Sequence, residues 1–368
     1  MPKERIDKES PKLHKTILND LHRGGFRRTL KQDLRDIYQF YLDRNTRARL
    51  SEMGWFRRYT RMFFWVIKNM ILKLSPVRRI LLLISLWFFL AFNSSVQSGD
   101  VQVSVNLKWI GFLILFFILM LELKDKLLAQ DELAAGRFVQ SAFMPGQKPK
   151  IPGWEIWLYT QPANEVGGDL VDSIQIRKDR WGIALGDVAG KGLGAALLMA
   201  KLQATLRALA PNFKTLSQLG AHMNRIFCRD GLPSRFVSLI YLEVQPNSGS
   251  LRILNAGHLP PIAMQRQRLY EMPQGSPALG ILPRATYHDQ HLKLNVGDWL
   301  VVYSDGLTEA QNEQGDFFGE PRFMHLLPKC YGISVQEAAE YILKQVADFI
   351  GDAKPSDDLS LILLKRQK

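Results

Sequence analysis

The sequence predicts an α+β fold in which helices are layered on antiparallel sheets, and three observations carry that expectation. Beyond residue 153 most apolar runs alternate with period two, as strands with one buried face do. Turn-rich stretches such as Gln245–Ser250 (QPNSGS) join them as hairpins. The runs also come in groups: several strands, two helices, more strands, then a closing helix and strand. That is the order of α+β layers and not of a doubly wound sheet.

The N-terminal part has a different character. Residues 1–79 carry 20 Lys and Arg against 8 Asp and Glu, whereas residues 80–368 carry 28 against 27. The formal charge of +13 therefore belongs to the first fifth of the chain and says nothing about partners of the remainder. Cys228 and Cys330 form neither a CxxC pair nor a zinc spacing, which points to a reducing compartment.

In order, residues 1–61 read as a basic segment. Leu30, Leu34, Ile37, Tyr38, Tyr41 and Leu42 mark an amphipathic helix over 29–50. Basic residues with interleaved aromatics also suit a nucleic-acid arm. The next segment favours an anionic lipid surface instead. Residues 62–123 form a membrane region: Met62–Leu74 is interfacial in composition, and Ile80–Phe92 and Trp109–Leu121 are apolar on every side. With their flanks, about 80–97 and 107–123, these two runs reach the short end of a membrane span. A buried helical hairpin is the competing reading. The basic flank keeps the N-terminus in the cytoplasm and leaves a short polar loop, Gly99–Lys108, outside. The expected location is the inner (cytoplasmic) membrane, multi-pass, with both N-terminus and C-terminal domain cytoplasmic.

A linker helix follows, read over 122–143 and bounded as 124–145. Leu121, Leu128, Ala135 and Ala142 recur every seven residues, but Lys124 and Asp131 interrupt the seam, so a solvated helix and a dimerising one stay equally open. MPGQKPKIPG ends it, and 146–368 is the compact domain. Its strands are read at 154–160, 168–176, 181–187, 236–243, 250–255, 261–263, 292–294, 299–304 and 359–365. Its helices are read at 195–209, 215–228, 321–329 and 335–350.

Within that domain acidic residues recur at strand ends beside glycine: Asp169 in EVGGD, Asp187 in GDVAGKG, Asp305 in YSDG and Asp357 in SDDLSLILL. Each alone is most simply a turn. Together they are four carboxylates at strand mouths, and clustered carboxylates repel one another unless cations lie between them. Oxygen-only donors select Mg²⁺ or Mn²⁺ over zinc. Gly190, Lys191 and Gly192 form a loop before a helix, suited to a phosphate or to a structural turn.

EVGGD, GDVAGKG, AGHLPP (Ala256–Pro261), YSDGLTEAQNEQGDFFG (Tyr303–Gly319) and SDDLSLILL, in that order, resemble the PP2C-like serine/threonine phosphatases of bacterial partner-switching, the branch of the stage II sporulation phosphatase and the stress sigma-factor activators. The likeness covers about 132–368, including a preceding helix that ends in QSAFMP. It implies an α-β-β-α sandwich of two antiparallel sheets, preceded here by two transmembrane helices and the linker helix, with two divalent cations, Mn²⁺ or Mg²⁺, at one edge. By that likeness Asp187 bridges both metals, the Val188 carbonyl, Asp305 and Asp357 are further ligands, and Asp169 acts through water. Asp358 takes a position that often holds Asn and is the weaker candidate. Ala189 stands where the pattern often has Ser. His258 is a candidate proton donor or, preferably, a structural histidine.

GDVAGKG lacks the spacing and the Ser or Thr of a Walker loop. No GxSxG appears, so an esterase is excluded on motif grounds. The expected function is a membrane-anchored phosphoserine/phosphothreonine phosphatase acting on a small anti-sigma-factor antagonist, with membrane lipid as a partner and a homodimer through the linker. The alternative is an inactive signalling scaffold of the same fold, which would be betrayed by a missing acidic ligand; none is missing.

Overall fold

The computed structural model describes residues 42, 46, 49–50, 53–90, 94–98, 101–105, 108–144, 146, 148–230, 235–266 and 268–367. The basic segment and its helix over 29–50 thus lie almost wholly outside the described residues. The chain divides into two compact units, Met1–Leu127 and Leu128–Lys368.

In the first unit α1 (Trp55–Lys73) is followed by α2 (Pro76–Leu90), and a short antiparallel pair, β1 (Ser94–Ser98) and β2 (Val101–Val105), precedes the long helix α3 (Lys108–Phe143). The last positions of the helix expected over 80–97 are therefore strand from Ser94, and the expected loop over 99–108 contains a strand. SSVQS and VQVSV set Val96, Val101, Val103 and Val105 among Ser and Gln, and carrying the span through its uncharged flank to 97 passes over that strand signal. α2 and α3 run antiparallel. Ser85 Oγ donates to the Gly111 carbonyl at 2.8 Å, and a Cβ at 111 would stand 2.8 Å from the Ser85 carbonyl, so only glycine permits that approach. Arg78 donates to Glu122 at 2.7 Å and to Asp125 at 2.5 Å. Ile80, Leu83, Trp87, Trp109, Leu113 and Phe117 are exposed along the two helices.

Among the described residues one helix is long and apolar enough by composition to cross a membrane, Leu193–Asn212, and it is a core helix of the second unit. As described, α2 has 15 residues, and the apolar run of α3 is bracketed by Lys108, Glu122, Lys124 and Asp125.

The second unit is a sandwich. One sheet has the order β10-β7-β6-β5-β4, made of β4 (Leu170–Arg177), β5 (Arg180–Val188), β6 (Val237–Val244), β7 (Ser250–Ala256) and β10 (Gln290–Lys293). The other has the order β3-β12-β11-β8-β9, made of β3 (Trp154–Gln161), β8 (Ile262–Gln265), β9 (Arg268–Glu271), β11 (Trp299–Tyr303) and β12 (Leu359–Arg366). Every pairing is antiparallel.

Strand alternation builds three apolar layers. Ile183, Leu185, Ile240 and Leu242 from the first sheet meet Leu300, Val302, Ile362 and Leu364 from the second. The opposite faces, Ala184, Leu239 and Tyr241, are covered by α4 (Leu193–Leu209) and α5 (Leu216–Asp230). Trp299, Val301, Leu361 and Leu363 are covered by α7 (Glu320–Leu326) and α8 (Val335–Ile350), after the one-turn α6 (Asp305–Thr308). Ser334 and Glu337 form a capping box that starts α8. The α-β-β-α order is the one expected. β9 and α6 are additions: Arg-Leu-Tyr-Glu is a short edge strand with little apolar signal, and SDGLT reads locally as a turn.

Candidate metal centre

Register brings the acidic strand ends together. Leu170 pairs with Gly186, which sets Asp169 beside Asp187. Tyr303 pairs with Leu361, which sets Asp305, just past the end of β11, beside the start of β12 and its preceding Asp357 and Asp358. Asp187 shares the face of Ile183 and Leu185, so its side chain turns toward the other sheet. The backbone at Gly306 lies against Asp358 so closely that any Cβ would fall onto the Asp358 carbonyl.

The result is a cleft of about 350 Å³ between the sheet edges, lined by Asp187, Val188, Ala189, Gly190, Lys191 and His258 along with Asp305 and Asp357. Gly190 and Gly192 have φ of +116° and +74°, the region that favours glycine, and let the loop turn into α4. Lys191 Nζ stands 3.0 Å from Asp357 and donates to the Ser356 carbonyl at 2.5 Å.

The acids are electrostatically frustrated. Burial, then Asp305, Asp357 and Asp358, push the Asp187 carboxyl up to about 6. Burial, then Asp357 and Glu309, raise Asp305. Asp169 is held well above the carboxylate range by burial first and Asp187 next, against an opposing hydrogen bond from Ser360 Oγ at 2.6 Å. Asp169 does not line the cleft; it lies behind, buried. Asp358 is spent on structure, accepting the N–H groups of Ala163 (2.8 Å), Gly168 (2.5 Å) and Asp169 (3.2 Å).

His258 Nδ1 lies 3.0 Å from Ser238 Oγ, and its backbone exchanges hydrogen bonds with the Asn255 side chain. Burial pushes its imidazole down to about 4, so it is neutral at pH 7 and a poor proton donor there. Ser304, Ser360 and Asn255, which orient these groups, escaped the reading from sequence; Ser360 lies two residues beyond Asp358, on the same strand face, and that spacing was the available signal.

Among the described residues no three acidic, histidine or cysteine side chains already stand in ligand geometry. The donor set nevertheless fits hard divalent cations. Asp187, Asp305 and Asp357 line one cleft and offer oxygen donors, and the repulsion that adds to burial in raising Asp187 and Asp305 is what a cation relieves.

Two antiparallel sheets between helix layers, with an acidic cleft at their shared edge, define the PP2C-like class of fold. The structure superposes on the SiaA-PP2C domain of Pseudomonas aeruginosa with a TM-score of 0.56 at 21% identity, over 66% of this chain and 99% of that one. Residues 177–367, just over half of the chain, match the stage II sporulation protein E (SpoIIE) family, and the chain belongs to that family. It is similar to the protein IcfG of Synechocystis (26% identity, covering 74% of this chain and 50% of IcfG). It is also similar to the phosphoserine phosphatase RsbU of Bacillus subtilis (27% identity, 67% of this chain and 72% of RsbU). The chain therefore spans about half the length of the first of these relatives.

Proposed function

We propose that this chain is a metal-dependent phosphoserine/phosphothreonine protein phosphatase of partner-switching signalling, anchored in the inner membrane with its C-terminal domain in the cytoplasm. Its substrate is a small phosphorylated anti-sigma-factor antagonist. The carrying observation is that Asp187 from one sheet and Asp305 and Asp357 from the edge of the other line a single cleft, where burial and then neighbouring carboxylates raise Asp187 and Asp305. Likeness to a phosphoserine phosphatase, RsbU, supports the reaction class.

Asp187, Asp305, Asp357 and the Val188 carbonyl would hold two divalent cations, Mn²⁺ or Mg²⁺, with Asp169 supporting them from behind. Such ions supply charge neutralisation for a phosphoryl group and lower the pKa of water. The chain's own residues do the rest. Ser360 Oγ, which also lies 2.9 Å from Thr160, fixes the Asp169 carboxylate. Ser238, beside His258, keeps the strand end under Asp187 in place. Lys191 brings an ammonium to the cleft, where a phosphomonoester dianion would meet it. Exposed apolar residues along α2 and α3, their close Ser85–Gly111 contact and the basic flank support a membrane hairpin. Dimerisation through α3 belongs to the same reading.

Phosphate release from a phosphoserine protein by the full chain, with Mn²⁺ and with EDTA, tests the reaction. Activity that depends on Mn²⁺ upholds it; no release with any divalent cation would overturn it and favour a signalling scaffold of the same fold. Release of the chain from membranes by alkaline carbonate would overturn the anchor.

A further inference from the structure

α8 carries more apolar surface than the fold consumes. Val335, Ala338, Ala339, Ile342 and Val346 form the stripe that it buries against the sheet. A second stripe, Leu343, Ala347 and Ile350, runs beside the first at spacings of four and three. It is only partly covered: Leu343 and Ile350 are half-buried and Ala347 is exposed. These three residues line a groove of about 460 Å³, with Tyr159 of β3 and Leu359 of β12 across from them. β3 is an edge strand, so the groove lies at the margin of the sandwich. Lys344 and Asp357 are the charged residues of its lining. Apolar surface left open in a hollow of this size marks a place where something docks.

The groove adjoins the acidic cleft. Asp357 borders both, and Gly306, next to Asp305 of the cleft, lines the groove. The stretch 355–357 is the partition between them, and it is tied twice. Ser356 Oγ donates to the Glu309 carbonyl at 3.2 Å, and the Ser356 carbonyl accepts from Lys191 Nζ at 2.5 Å. A partition held in this way keeps the two hollows in fixed relation, so a ligand that spans both meets little ordering cost.

That adjacency selects the occupant. A phosphoserine seated in the cleft belongs to a chain whose neighbouring side chains, on one side of it, pass the groove. The apolar lining rewards an aliphatic side chain there, and a charged one would lose its water without gaining a partner. We propose that the groove is a specificity subsite for the protein substrate, taking one aliphatic side chain that lies within five residues of the phosphoserine, a reach of about 17 Å of extended chain. This rests on the phosphatase reading above and adds to it the chemistry that the substrate must show beside its phosphate.

The test uses the full chain in detergent with Mn²⁺ and synthetic phosphoserine peptides of Gly-Ser background. A single Leu is moved from five residues before the phosphoserine to five after it. At one position, or two adjacent ones, Leu should raise kcat/KM by about 10-fold or more over the Leu-free peptide, the scale of burying one aliphatic side chain, and Lys or Asp there should not. Ala347→Trp fills the groove from an exposed helix position and should abolish that preference. Leu343→Gln, which makes the wall polar, gives the same reading if the Trp variant does not fold. Asp348→Trp puts the same ring one position along the helix, outside the lining, and should keep the preference. Three results overturn the proposal: no position prefers Leu; the preference survives Ala347→Trp; or Ala347→Trp speeds hydrolysis of every peptide alike, which would make a segment of this chain the occupant. p-Nitrophenyl phosphate, with no side chain to reach the groove, reads the metal site by itself. If the unaltered chain hydrolyses neither it nor any peptide, the phosphatase reading fails and the subsite with it. If it hydrolyses this ester but no peptide, the subsite fails and the phosphatase reading stands.

Discussion

Two groups of buried and half-buried acids sit on the sandwich and are treated in opposite ways. On the helix-covered face of β4 to β7, Asp172 receives two hydrogen bonds from Arg207, at 2.8 and 2.7 Å, and Glu243 is bound by Arg252 with Arg180 at 3.7 Å. At the strand ends, among the described residues, no guanidinium pairs with Asp169, Asp187 or Asp305, and Asp357 meets the half-exposed Lys191. A fold able to supply arginines to buried carboxylates a few residues away has left these unpaired. Buried charge without a partner is costly. The difference separates acids that hold the sheet to its helices from acids that, on the proposed function, are kept ready for a cation.

The comparison can be broken by exchanging outcomes between the groups. Asp187→Ala should abolish Mn²⁺-dependent phosphate release, by about 10³-fold if several kcal/mol of transition-state stabilisation go with it, while the domain remains folded. Arg207→Ala should do the reverse. It strands the Asp172 carboxylate, lowers stability in urea by about 3 kcal/mol, and leaves specific activity unchanged below the transition. If Arg207→Ala abolished activity without a change in stability, the division of labour would be wrong.

A smaller effect sharpens the contrast. The Asp187 carboxyl is raised from 3.8 to about 6, so on folding it takes up a proton between those values. The stability of EDTA-treated protein should therefore be greatest below pH 4 as far as this group is concerned, and be lost as the pH rises through 6. Asp187→Asn should cancel that loss, stabilising the EDTA-treated chain at pH 7 by on the order of 2 kcal/mol, with urea titrations at pH 5 and 7 as the check. Mn²⁺ should restore stability to the unaltered chain only. Smallest is Lys191→Ala. Removing the ammonium from Asp357 should tighten Mn²⁺ binding a few-fold, on the scale of about 0.5 kcal/mol for an exposed ion pair, while raising KM for the phosphoprotein.

Much of this contrast was legible before any coordinates, for a physical reason. Strands with one face on each apolar layer must alternate, so Ile183, Leu185 and then Asp187 announced both the strand and the side on which the acid emerges. The glycines beside Asp187 and Asp305 marked close backbone approach, and Gly306 is held there by the Asp358 carbonyl. What stayed hidden depends on partners distant in sequence. Nothing local separates Asp357 from Asp358; only the N–H groups of Ala163, Gly168 and Asp169 assign the second to structure. Gln140 looks like one more polar residue on a solvated helix until Gly167 is seen against it. The hairpin over 94–105 was obscured because length, the main criterion for a membrane span, invites extension of an apolar run through any uncharged flank.

β12 has a consequence for how the molecule comes into being. It is the last strand in the sequence, yet it lies inside its sheet, between β3 and β11, pairing residue 359 with 161 and 366 with 154. Until it is inserted, β3 and β11 face an open slot, and the carboxylates of Asp357 and Asp358 have nowhere to stand. Asp358 is also what gathers the N–H groups around Asp169. A growing chain on the ribosome therefore cannot own a half-working cleft: sheet closure and site assembly are one late event with a long loop to close.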